Sequence, residues 1–134
     1  MIILGGCLCG SVRYEASGEP YNVTHCHCED CRRSSGAPMV TWASFTRNDF
    51  RFIRGEPREL KWADRIRMFC PHCGTPLIFM SASNAHEVDV TVCSFDDPEI
   101  VRPTDHTWIE DRLSWIHLDD RLPTHAQERK PDAA

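Results

Sequence analysis

A chain of 134 residues with 41% apolar and 26% charged residues is sized for one soluble domain with a modest core. Its formal charge of −5 speaks against a polyanionic partner such as nucleic acid, and no segment offers the about 20 apolar residues that a membrane span needs. The opening Met1-Ile2-Ile3-Leu4-Gly5-Gly6 has no basic flank and too short an apolar run for a secretory signal, so the eight cysteines are expected to work in the reducing cytoplasm and not as a secreted disulfide framework.

Nine prolines and seven glycines break the chain into short strands and turns. Residues 11–17 alternate, with Val12, Tyr14 and Ala16 on one face, and predict a strand ended by Gly18-Glu19-Pro20. Residues 21–28 resume as an extended stretch, and 31–36 form a short helical turn stopped by Gly36 and Pro38. Strands are expected at 39–45 and 50–54 around a polar turn at 46–49, then at 58–63 after Gly55-Glu56-Pro57. Residues 66–69 run into a cysteine turn and 77–80 run out of it. After a loop, 87–94 alternates again, with Val88, Val90 and Val92 opposite Asp89, Thr91 and Cys93. The expectation is a mainly β, single small zinc-stabilised domain of short antiparallel strands over residues 1–126, followed by a frayed tail at 127–134.

Seven of the eight cysteines fall into three clusters: Cys7-Leu8-Cys9, Cys26-His27-Cys28-Glu29-Asp30-Cys31, and Cys70-Pro71-His72-Cys73. Seven thiolates divide naturally into a closed set of four and an open set of three. A four-cysteine zinc is structural, whereas three protein ligands leave a position for water or substrate. On a strand, residues i and i+2 share a face, so Cys7 and Cys9 can reach one metal. Cys70 and Cys73 have zinc-knuckle spacing, with Gly74 to serve the turn, and joining them to Cys7 and Cys9 staples segments about 60 positions apart. Cys26 and Cys28 share a strand face by the same parity, and Cys31 returns from the following turn. Two alternatives stand beside this division. Part of the middle cluster could join a mixed four-cysteine site, or His25, His27 or His72 could close the second site as a fourth ligand. The strand parity of His25 and His27, opposite to that of Cys26 and Cys28, argues against those two.

The order Gly5-Gly6-Cys7-Leu8-Cys9-Gly10, Val12-Arg13-Tyr14, Cys26-His27-Cys28-x-x-Cys31-Arg32, Ser35-Gly36-Ala37, Phe69-Cys70-x-x-Cys73-Gly74-Thr75 and Phe95-Asp96-Asp97-Pro98 runs over nearly the whole chain. In it the chain resembles the family of the glutathione-dependent formaldehyde-activating enzyme, which includes the centromere protein V relatives. That resemblance implies an all-β fold with two Zn2+ per chain: a structural ion on Cys7, Cys9, Cys70 and Cys73 and a catalytic ion on Cys26, Cys28 and Cys31. It also implies a carbon–sulfur lyase that joins formaldehyde to glutathione as S-hydroxymethylglutathione.

Three thiolates leave a zinc complex near a charge of about −1, which blunts its power to acidify water but suits it to hold another soft thiolate. The expected activity is therefore that of a zinc-dependent carbon–sulfur lyase-like enzyme acting on small thiol/aldehyde adducts, with the substrate thiolate at the open site. Glutathione or a similar small thiol and an aldehyde adduct are the expected partners. Glu29, Asp30 and His27 are candidates for moving the alkoxide proton, and Arg32 and Arg33 for binding a substrate carboxylate. Trp42, Trp108 and Trp115 could wall a pocket, although core packing is the commoner role for tryptophan in a small domain. Cys93 is expected to be a free cysteine, and His106, His117 and His125 ordinary surface or core histidines. The competing readings are a non-catalytic zinc-binding interaction module with both ions saturated by protein, and a thiol-exchange protein using Cys28 and Cys31 as a reversible pair.

Overall fold

A computed structural model describes residues 1–130. Along the described residues run β1 (Ile2–Gly6), β2 (Arg13–Ser17), β3 (Tyr21–Cys26), helix α1 (Glu29–Ser35), β4 (Val40–Thr46), β5 (Phe50–Arg54), β6 (Arg58–Trp62), β7 (Arg65–Phe69), β8 (Pro76–Ser81), β9 (Asn84–Thr91) and β10 (Asp105–Thr107). The fold is mainly β, as the short alternating segments and frequent turn residues predict. No helix among the described residues is long and apolar enough to cross a membrane. The chain forms two compact units, one built from Met1–Tyr21 and Ala43–Val101 and the other from Asn22–Trp42 and the chain from Arg102 onward.

In the first unit β2 lies between β1 and β5, antiparallel to both. The expected inward face of β2 is realised, since Tyr14 and Ala16 are completely buried. The Tyr14 ring packs against Phe50 with centroids 5.2 Å apart, and its hydroxyl meets Ser94 Oγ at 2.6 Å. This explains the glycine at position 5: any Cβ there would run into the Tyr14 ring and the Ser94 carbonyl. β9, β8, β7 and β6 are antiparallel neighbours in that order in a separate sheet. Val88 and Val90 face the core with Leu77 and Ile78, all at 2% exposure or less. The alternating stretch expected at 87–94 leaves the sheet early, because Val92–Ser94 winds into a single 3-10 turn.

Half-buried Asp89, on the face opposite the valines, accepts a hydrogen bond from Ser44 Oγ at 2.6 Å. Burial, opposed by that bond and aided by Glu87, pushes its carboxyl up to about 6. A folded-state value above the unfolded one contributes stability that is complete below about pH 4 and lost as pH rises through about 6. Asp89→Asn should therefore flatten the fall in stability between those pH values, removing a slope worth about 2 kcal/mol after allowance for partial exposure. Denaturant midpoints at closely spaced pH values read this directly. An unchanged slope in the variant would assign the pH dependence to other groups.

In the second unit β10 runs parallel to β3, pairing Thr107 with Cys26. This parallel pair is the exception among strands that otherwise run antiparallel, as expected, in β1-β2-β5 and in β9-β8-β7-β6. Helix α1 is longer than the turn expected at 31–36 and begins before Cys31. It ends where expected, at Gly36, whose φ of +69° closes the last turn by donating its N–H to the Arg32 carbonyl at 2.7 Å. Residues 131–134 of the expected frayed tail lie outside the described residues. The described part makes specific contacts: Trp108 N–H bonds the Gln127 carbonyl at 2.7 Å, and Arg129 Nε reaches the buried Asp105 at 2.6 Å.

Candidate functional site

The first cysteine set lies wholly in the first unit. β1 delivers the chain into a turn at 7–10, where Gly10 N–H bonds the Cys7 carbonyl at 3.2 Å and Cys7 N–H bonds the Val12 carbonyl at 3.0 Å. Cys7 and Cys9 are therefore presented by a turn and not by the strand parity expected for them, and their sulfurs lie 3.6 Å apart. β7 ends at the second turn, where Gly74 N–H bonds the Cys70 carbonyl at 2.9 Å and the N–H groups of His72 and Cys73 both point at Cys70 Sγ at 3.4 Å. The two loops meet: Leu8 N–H donates to Thr75 Oγ1 at 3.1 Å, and Cys9 Sγ lies 3.8 Å from Cys70 Sγ. All four sulfurs fall within 4.8 Å of one another.

The second set lies wholly in the second unit. β3 ends at Cys26, and Cys28 is the N-cap of α1, its sulfur accepting the Cys31 N–H at 3.2 Å. The expected shared strand face of Cys26 and Cys28 thus gives way to a strand-to-helix corner, with Cys31 returning on the first helical turn. Cys31 Sγ lies 3.5 Å from Cys26 Sγ, and the three sulfurs again fall within 4.8 Å. Among the described residues no histidine nitrogen and no fourth cysteine lies with these three sulfurs.

The donor geometry fits a zinc ion in both places. Zinc–sulfur bonds of about 2.3 Å in a tetrahedron put sulfurs about 3.8 Å apart, close to the 3.5, 3.6 and 3.8 Å found here. A disulfide would need about 2.05 Å, and all eight cysteines are free. Within each set some sulfurs are drawn toward the thiolate while Cys9, Cys28 and Cys31 are pushed up. Hydrogen bonds from Cys28 and Cys31 pull Cys26 down to about 3, and those same contacts push Cys31 up. The Thr75 hydroxyl and backbone bring Cys73 down to about 5. Burial raises Cys7, but the Val12 N–H and neighbouring groups outweigh it and leave it at about 7.

Several groups around the sulfurs were not legible as partners. Trp42, 7% exposed, donates its indole N–H to Cys31 Sγ at 3.4 Å. Ser11 Oγ sits 3.1 Å from Cys9 Sγ and 3.3 Å from Cys70 Sγ, and Thr75 Oγ1 lies 3.2 Å from Cys73 Sγ. A hydroxyl residue two positions after a cysteine was the available signal for both. His27 is fully buried, with Nε2 at 2.9 Å from His106 Nδ1, and His106 Nε2 reaches Asp120 Oδ2 at 2.8 Å. Burial and the neighbouring His106 lower His27 to about 4, so its ring is neutral at pH 7. His25 Nδ1 bonds Thr41 Oγ1 at 2.8 Å. Of the other candidates, Glu29 pairs with Arg33 at 2.9 Å on the exposed side of α1, Arg32 has an Nε that is buried and unbonded, and Trp115 is 62% exposed. His125 serves the second unit's framework, holding Asp105 at 3.1 Å, while Cys93 is an exposed free thiol.

The sequence pattern of one protein family, described as glutathione-dependent formaldehyde-activating enzyme, matches residues 2–111. A Halomonas elongata protein provisionally named for that activity is 24% identical over 143 aligned positions, covering 98% of this chain and 90% of its own length. A Schizosaccharomyces pombe protein described as an uncharacterised lyase is 32% identical over 80 positions, covering 56% of this chain and 55% of its own. A crystal structure of a Rhodobacter sphaeroides protein superimposes with a TM-score of 0.60 at 25% identity, covering 75% of this chain and 91% of that one.

Proposed function

The chain belongs to the family of glutathione-dependent formaldehyde-activating enzymes, and from that premise we propose that it is a zinc-dependent carbon–sulfur lyase-like enzyme acting on small thiol/aldehyde adducts. Cys26, Cys28 and Cys31 are its reacting centre, and Cys7, Cys9, Cys70 and Cys73 hold a structural zinc. The observation that carries this reading is the unequal completion of the two sets, four thiols in one and three in the other. Bound at the three-thiol set, a zinc ion would supply a soft Lewis acid that keeps a substrate thiol deprotonated beside an aldehyde carbon.

The chain's own groups prepare that centre. The strand-to-helix corner fixes Cys26 and Cys28, and Trp42 orients Cys31 through its indole N–H. Cys28 is half-buried where Cys26 and Cys31 are buried, so the set is open on the Cys28 side. Of the three proton-transfer candidates, His27 is buried against His106, which leaves Glu29 and Asp30 on the first turn of α1 to exchange a proton with substrate oxygen. Glutathione and formaldehyde are the substrates that the names of the family and of the Halomonas elongata relative suggest. Eight free thiols suit the reducing cytoplasm.

Titrating cobalt-substituted protein with glutathione tests the reading. A saturable change in the visible spectrum in the millimolar range, with a proton released per thiol bound, is expected. A spectrum that no small thiol perturbs would replace the enzyme with a non-catalytic zinc-binding interaction module.

A further inference from the structure

We propose that β6 is a self-complementary edge through which two copies of this chain pair antiparallel, about a twofold axis at Leu60. β6 is the last strand of its sheet, bonded to β7 on one side and to no strand on the other among the described residues. All five of its residues are exposed, with Leu60 at 56% and Trp62 at 69%. An edge strand of this kind presents a row of unpaired N–H and C=O groups, which proteins usually blunt with a proline, a bulge, a covering segment or a lysine. β6 contains no proline, and its ladder with β7 runs from Arg58↔Phe69 to Trp62↔Arg65 without a register shift. Lys61 is the expected guard, but Glu59 stands two positions away and neutralises it toward a second copy.

The order Arg58-Glu59-Leu60-Lys61-Trp62 is self-complementary about Leu60, with opposite charges at the two positions that flank it. With Leu60 opposite Leu60, Glu59 of each copy faces Lys61 of the other, so the pair forms twice on one face of the ribbon. On the other face Arg58 of each copy faces Trp62 of the other, flanking the two leucines. Directly opposed residues bring their Cβ atoms to about 5 Å, within reach of both kinds of contact. Trp62 already carries the Arg65 guanidinium 4.7 Å from its ring centroid, and its exposure leaves room for a second cation.

The register is also specified against its neighbours. Only every second residue of an edge strand turns its N–H and C=O outward, so donors and acceptors match only when the strand slips by two positions. The nearest such slips set Glu59 against Glu59 or Lys61 against Lys61. A strand of five residues spans only about 17 Å, and the area it covers falls short of the about 800 Å² per partner of a stable interface. The pair is therefore a concentration-dependent one. It is independent of the chemistry assigned to the cysteine sets.

Sedimentation velocity of the full chain over a wide concentration range tests the pairing. The native chain should move from monomer to dimer as concentration rises. Glu59→Lys and Lys61→Glu should each weaken association about tenfold or more, since each replaces two attractive pairs with two repulsive ones. The double variant Glu59→Lys/Lys61→Glu should recover the dimer, because the exchanged pattern is still self-complementary. All three changes are on exposed side chains, and an unchanged thermal midpoint confirms the fold in each. A monomer at every concentration, single variants that associate as the native chain does, or a double variant no tighter than the singles overturns the proposal.

Discussion

Cys73→Ala is expected to leave no soluble folded protein, while Cys28→Ala should yield a folded chain that keeps about one of the two proposed zinc ions. The four-cysteine set joins the turn after β1 to the turn between β7 and β8, segments 61 positions apart at Cys9 and Cys70. Structural zinc binding contributes about 10–16 kcal/mol of apparent free energy in small domains, and the whole net stability of a domain is about 5–15 kcal/mol. Losing one of four ligands therefore removes an amount comparable to everything that holds the first unit folded. Cys28 belongs to a set gathered within six residues, 26–31, where β3 and α1 already fix the backbone. Soluble yield, circular dichroism and zinc per chain by mass spectrometry separate the two variants. Equal destabilisation by both would mean that the structural and reacting assignments are mistaken.

The grouping of seven cysteines into a set of four and a set of three was legible in the sequence because cysteine spacing is a local property that survives whatever the rest of the chain does. The valine alternation at 88, 90 and 92 was legible for the same reason, and all three side chains are buried. Parity reasoning failed where the chain turns. Cys7 and Cys9 meet through a turn that ends at Gly10, whose φ is +80°, and Cys28 leaves the strand to cap a helix. The N-terminal strand was expected to carry Cys7 and Cys9, but β1 ends at Gly6, and Gly5 answers the close approach of Tyr14 across the ladder. β10 is three polar residues that are buried only because β3 accepts them in parallel, a pairing that no periodicity announces. His106 accordingly looked ordinary, although it is 1% exposed and links His27 to Asp120. Tertiary contacts of this kind leave no local mark for a sequence reading to find.

Cys31→Ser should abolish adduct turnover while leaving the fold in place. The serine hydroxyl is close in size to the thiol, so the 6%-exposed site keeps its packing. What it loses is the soft sulfur donor that completes the set with Cys26 and Cys28 and that accepts the Trp42 N–H. Two remaining thiols hold zinc far more weakly than three, so the metal content should fall from two per chain to one. Turnover of a glutathione–formaldehyde adduct should drop by a factor on the order of 1000 or more, equivalent to about 4 kcal/mol of lost transition-state stabilisation. The thermal midpoint should move by only a few degrees, since a perturbation of about 1 kcal/mol shifts a domain of this size by about 4 °C. A chelator should likewise strip the three-cysteine set first, because the four-cysteine set cannot release its ion without opening the loops that it joins. If the variant keeps both metals, or keeps its turnover, Cys31 is not part of the reacting centre. If instead its midpoint collapses as that of Cys73→Ala should, the second set is a staple like the first and the catalytic reading of Cys26, Cys28 and Cys31 falls.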